Sequence, residues 1–293
     1  MAADLTANPL YADPLVYDVL VTPGTARELD VLERIARRWA GRERPAAGGR
    51  GPEGGRGRAR DRARSAAPQR WLEPACGTGR YVRLIAARGR RVTGFDASPA
   101  MVAYARDTLR RRRLSGRAEV YVADLADFAG RLPPGARDRS FDFAYIPDNS
   151  IRHLDGDRAV LAHFGQVARA LRPGGAYAVG LSLSRYGEEP PDEDVWTGTR
   201  GRCRVRQIIN YLPPDGDGPG ARRERVIVHL VIERPRGSEH VDAAYDLRRW
   251  DERQWDALVR RSDLRRVASL DAGGRPLDGR RVPYQWEILA PRS

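Results

Sequence analysis

Three acidic residues, Glu73, Asp96 and Asp124, stand at intervals that suit a nucleotide-type ligand. Glu73 begins the turn Glu73-Pro74-Ala75-Cys76-Gly77-Thr78-Gly79, which closes a short apolar run. Gly77 and Gly79 let the backbone turn sharply and let a ligand approach without meeting a Cβ. The helix that opens behind them offers unpaired N–H groups to polar or anionic atoms. Asp96 ends the next apolar run, where a carboxylate can accept hydrogen bonds from both hydroxyls of a ribose. Asp124 follows the third run and is placed to accept from an exocyclic amine, with Met101 and Leu125 available to pack on a planar base. A dinucleotide turn carries a third glycine three residues after the second; here that position is Val82, which argues against a dinucleotide.

The elements that must position these residues alternate. Strands are expected at 71–75, 91–96, 118–123, 141–146 and 177–183, with helices between them. Ser98 and Pro99 suit an N-cap and a first helical position, and Met101, Val102, Ala105 and Leu109 give that helix an apolar face. A helix over 157–171 is expected to stop at Arg172-Pro173-Gly174-Gly175. Such alternation predicts an α/β fold with a parallel sheet covered on both faces, and ligands at the carboxyl ends of its strands. Past Ser184 the rhythm changes. Runs at 203–212, 225–233 and 240–248 predict an antiparallel meander inserted after strand five. A capping box at Asp251 and Gln254 then opens a last helix, and strands near 264–270 and 284–289 finish the sheet.

The expected organisation is an N-terminal helical segment over the active site at 1–40, an insertion at 41–69, a core at 70–184, a lid at 185–248 and the closing elements at 249–293. In the first segment Thr25 and Glu28 fit a capping box, and Leu29, Leu32, Ile35 and Trp39 repeat at helical spacing. Tyr11 and Tyr17 lie in an apolar stretch and serve either packing or the site. Residues 41–69 are rich in Gly, Pro, Ala and Arg, with no Leu, Ile, Val or aromatic residue, and read as a disordered loop.

The net charge of +13 raises nucleic acid as a partner. All 52 basic residues are arginine, however, a uniform bias alongside much Ala, Gly and Pro that does not select for phosphate. No run of about 18 apolar residues predicts a membrane span, and residues 1–5 do not read as a secretory signal. Cys76 and Cys203 are too few for a disulfide scaffold, no metal-ligand cluster is evident, and a cytoplasmic location follows as the expectation.

The set EPACGTG (73–79), GFDAS (94–98) with Met101, VADLADF (122–128), FDFAYIPDNSIRHL (141–154) and LRPGGAYAVGLSL (171–183) resembles the class I S-adenosylmethionine-dependent methyltransferases. The resemblance implies a Rossmann-like seven-stranded methyltransferase sheet whose last strand is antiparallel, and S-adenosyl-L-methionine as cofactor. It implies cofactor contacts from Glu73, Ala75, Gly77, Gly79, Asp96, Ala97, Met101, Asp124 and Leu125, with Tyr17 from the N-terminal segment. The Asn149-Ser150-Ile151-Arg152-His153-Leu154 stretch is similar to that of small-molecule N-methyltransferases of the glycine and sarcosine type, which also carry extra strands after strand five. Asp148 departs from the small or apolar residue usual before the asparagine.

Methyl transfer from a sulfonium mainly requires a positioned acceptor and a dry site. An amine need only arrive deprotonated, whereas a hydroxyl usually needs a base. His153 is the candidate base and Asn149 a candidate to orient the acceptor, each with a purely structural alternative. Tyr11, Asn149, Arg185 and Trp196 are candidate substrate contacts. The expected acceptor is a small molecule, an amine ahead of a hydroxyl, on a monomer or homodimer. An RNA or protein acceptor docking through the basic loop and a non-catalytic cofactor-binding role are the alternatives.

Overall fold

The computed structural model describes residues 9–40, 69–218 and 221–292. The loop expected at 41–69 lies outside the described residues apart from Gln69. Five parallel strands, β1 Arg70–Pro74, β2 Arg91–Asp96, β3 Ala118–Val122, β4 Phe141–Ile146 and β5 Leu171–Leu181, form the centre of the molecule. Every residue of β4 is buried, as a strand covered on both faces requires. The chain then leaves the sheet to form β6 Asp192–Arg200, β7 Cys203–Leu212, β8 Arg223–Arg234 and β9 Gly237–Arg248, an antiparallel four-stranded lid. It returns through β10 Leu264–Asp271 and β11 Gln285–Pro291, giving the seven-stranded order β10-β11-β5-β4-β1-β2-β3 with β11 antiparallel to both neighbours.

Helices cover both faces, as expected. α3 Thr25–Trp39, α4 Arg80–Ala87 and α5 Pro99–Arg111 pack with Trp71, Tyr145 and Phe143 on one side. α6 Asp157–Ala170 and α7 Glu252–Arg261 pack with Leu72, Phe164 and Trp255 on the other. Two short N-terminal helices, α1 Pro9–Ala12 and α2 Pro14–Val21, form a third core with the lid through Leu10, Val16, Val19, Leu20, Val205, Val226 and Val228. Ser98 Oγ accepts from Met101 N at 3.3 Å, and the Asp251–Gln254 capping box is present.

Three local expectations are corrected. β5 begins at Leu171 rather than Tyr177, because a register shift between Phe141 and Phe143 absorbs Pro173 and the left-handed Gly174 into the strand. The lid has a fourth strand, β6, whose Asp192-Glu193-Asp194 start and almost wholly exposed pattern carry no alternation. Thr25 and Glu28 do not form a capping box. Gly24, at φ 86°, is the N-cap, and the Thr25 hydroxyl donates back to the Thr22 carbonyl at 2.7 Å. Glu28 is drawn to Arg80 at 2.6 Å, because a buried guanidinium must be paired.

Candidate active site

β1 and β4 are neighbours that lead to opposite halves of the sheet, so their carboxyl ends open a crevice. Two adjoining cavities of 320 and 530 Å³ occupy it, sharing Tyr11, Tyr17, Ala75, Ser150 and His153 in their walls.

The smaller cavity runs past β2. Asp96 lines it, with one carboxylate oxygen accepting from Gly77 N at 2.8 Å and the other from Ser98 N at 2.9 Å. Burial pushes the Asp96 carboxyl up, against the pull of those two amides. Ala97, Pro99, Met101, Ala123 and Leu125 make the remaining wall mostly apolar. Gly77 has φ 51°, and a Cβ there would stand 3.1 Å from the Tyr17 ring, so the turn and Tyr17 lie in contact across a cradle that only glycine leaves open. A ribose-type acceptor beside an apolar slot and a bare backbone turn fits S-adenosylmethionine.

Three residues expected at the cofactor lie outside this cavity, and one of them, Glu73, lines the larger one. Gly79 is the left-handed N-cap of α4 and lies against Ala105. Asp124 is not in the cavity wall; its Oδ1 accepts from Ala126 N at 2.7 Å, because the carboxylate is used to close the bend after β3. That bend is held from behind. His163 contacts the Leu125 carbonyl at 2.8 Å and the Tyr177 hydroxyl at 2.7 Å, and Gln166 Oε1 accepts from Phe128 N and Ala129 N.

The larger cavity lies between β1, the β4 end, the N-terminal helices and the lid. Its wall contains four carboxyl groups, Glu28, Glu73, Asp148 and Asp194. Glu73 is only 2% exposed and accepts from the Tyr145 hydroxyl at 2.6 Å. Burial raises its carboxyl to about 8, although Tyr145 and Arg80 pull the other way. Arg80 binds Asp148 and Glu28 together and also reaches the Thr25 and Tyr81 hydroxyls. His153 sits 3.3 Å from the Tyr11 hydroxyl and stacks on Tyr245; burial, and then Arg152, push its imidazole down to about 4. Trp196 also lines this cavity from β6.

Asn149 lines the same cavity in the left-handed conformation, with φ 60°. Its side-chain oxygen accepts from Ser182 N at 2.7 Å, which ties the β4 turn to β5 and leaves the amide committed to the turn. Arg185 is corrected outright: its side chain is 59% exposed, pairs with Glu188 and lines a separate surface depression, because the chain turns away from the crevice after Ser184.

Other organising residues were not singled out in the sequence. Asp18 accepts from the Thr78 hydroxyl and Arg83 at 2.8 Å each and from Arg200 at 2.6 Å, joining α2, the glycine turn, α4 and β6. Burial opposes ionisation of Asp18, but Arg83, Thr78 and Arg200 hold its carboxyl below the usual range. The signal was an acid inside the apolar run Leu15-Val16-Tyr17-Asp18-Val19-Leu20. The lid is anchored by a buried network in which Glu224 pairs with Arg152 and Arg249, and Arg249 reaches Glu189 and Ser184.

No curated protein matches the chain by sequence. A family model described as a methyltransferase domain matches residues 72–175. An S-adenosylmethionine-dependent methyltransferase from Clostridium acetobutylicum ATCC 824 superposes with TM-score 0.61 at 12% identity, over 92% of this chain and 98% of that one. Streptomyces venezuelae DesVI gives TM-score 0.61 at 18% identity, over 95% and 96%. The sugar N-methyltransferase KedS8 from Streptoalloteichus sp ATCC 53650 gives 0.57 at 20% identity, over 85% and 100%. At these identities the likeness concerns the fold. The strand order, the glycine turn beside Asp96 and the matched model agree: the chain carries a methyltransferase domain at 72–175 within the fold of the class I S-adenosylmethionine-dependent methyltransferases.

Proposed function

We propose that this enzyme methylates the nitrogen of a small-molecule amine. The observation that carries the reading is the 530 Å³ cavity, which meets the cofactor-sized cavity at Ala75 and His153 and has a wall of carboxyl and aromatic groups. Arg80 pairs Glu28 and Asp148 and burial favours the protonated form of Glu73, so Asp194 and the aromatic faces are the wall groups that favour a cationic amine over an anionic acceptor. The cavity lies between the N-terminal helices and the lid, which suits a compact molecule better than a nucleic-acid strand. KedS8 is described as a sugar N-methyltransferase, in line with a nitrogen acceptor.

In this reading Asp96 takes the ribose hydroxyls, Met101 and Leu125 enclose the adenine, and the Gly77 turn with Ala97 and Tyr17 receives the rest of the cofactor. The cofactor supplies an electrophilic methyl group. The protein aligns the acceptor nitrogen and excludes water. Tyr11 and Trp196 pack on the acceptor. His153, held neutral above about pH 4, accepts a hydrogen bond from the amine. So weak a base serves a deprotonated amine better than an alcohol, whose proton must leave in the transition state.

The test is incubation with S-adenosylmethionine carrying an isotopic methyl label, against matched amines and alcohols and a metabolite extract, read by mass spectrometry. Label on nitrogen is expected. Label confined to oxygen would overturn the amine reading, and tight cofactor binding without transfer to any acceptor would overturn catalysis.

A further inference from the structure

Gln207 occupies an unusual position in the lid. It lies on β7 between the buried Val205 and Ile209, on the face that packs against the N-terminal helices. It is 1% exposed, yet its Oε1 has no hydrogen-bond partner among the described residues. A buried amide oxygen without a partner destabilises a fold, and an apolar residue of similar volume would fill this place without that penalty. The same side chain lines the larger cavity, opposite Trp196 on the neighbouring strand and near Asp194 and Tyr211.

We infer that Gln207 is a specificity-determining residue: its amide completes its hydrogen bonds on the acceptor, so the acceptor is a hydroxylated amine rather than an apolar one. A hydroxyl both donates and accepts and therefore matches either end of the amide. Asp194 adds a carboxylate to the same wall, so the pocket offers charge to the ammonium and an amide to a nearby hydroxyl. A site built to bond a hydroxyl rejects the analogue that lacks it, because its own polar group is then left unpaired. The inference rests on the amine reading above.

The test uses trans-2-aminocyclohexanol and cyclohexylamine with the wild type and with Gln207→Met and Gln207→Leu. The wild type should favour the amino alcohol in kcat/KM by tenfold or more. Both variants should raise KM for the amino alcohol about tenfold, with kcat and S-adenosylhomocysteine affinity little changed, and should lose the preference. Melting with saturating S-adenosylhomocysteine and no acceptor should be unchanged or higher in the variants, since an unpartnered amide oxygen has been removed. Lower melting, or an unchanged KM and preference, would overturn the inference and make Gln207 structural. The melting measurement needs no turnover. If the wild type methylates neither amine, the amine reading fails on these probes while melting still decides whether the amide oxygen is unpartnered.

Discussion

Glu73 is a crevice carboxyl that burial lifts to about 8. Its strand position was legible as an acid before a glycine turn. Its environment was not, because the Tyr145 hydroxyl that holds it comes from a residue far along the chain. Its folded value of about 8 lies above the ordinary carboxyl value, so the fold prefers the protonated form. That preference contributes stability at low pH, which is lost as pH rises through about 8. His153 and His163 act in the opposite sense: burial holds each near 4, so their contribution is present above about 6.5 and lost as pH falls through 4. Between pH 6.5 and 8, of these three groups, Glu73 alone sets a slope. The ligand-free protein should lose stability there by up to about 1.4 kcal/mol per pH unit. Glu73→Gln should flatten that slope in a series of urea melts; an unchanged slope would place the titrating proton on another group.

At the scale of elements, α6 does more than cover the sheet. His163 and Gln166 hold the backbone of the bend that carries Leu125, so the wall of the cofactor cavity is fixed from the helix behind it. His163→Ala should lower stability by about 2–4 kcal/mol, through two lost hydrogen bonds and a cavity. It should also weaken S-adenosylhomocysteine binding about tenfold by calorimetry, whereas Phe164→Leu, a core change one residue away, should destabilise without that loss. The helix itself was plain from its apolar spacing. The role of His163 was not, since a buried histidine and a ligand-facing one look alike in a single sequence. The same limit explains β6. Its side chains are almost all exposed, so no periodicity marked it, whereas β2 and β4 match their expected limits because both of their faces are buried. Strand-end residues such as Asp96 were legible because the fold repeats one geometry there. Apart from Trp196, lid residues were not, because their partners come from distant parts of the chain.

At the scale of the whole molecule, Asp18 is the joint between halves of the site. It is buried with Arg83 and binds Arg200 of the lid, so Asp18→Asn should lower stability by about 3 kcal/mol. It should also speed proteolytic cleavage ahead of Gly24, measured by limited digestion and mass spectrometry; unchanged digestion would show that the apolar contacts alone hold α2. The apolar faces of α1 and α2 pack on the lid, and among the described residues no helix is long and apolar enough to cross a membrane. Tyr11 and Tyr17, carried on those two helices, belong to the walls of both cavities. The two cavities therefore share walls carried by the same pair of helices. A movement of those helices would change both cavities at once, so methylated product and spent cofactor should depart at rates that rise and fall together.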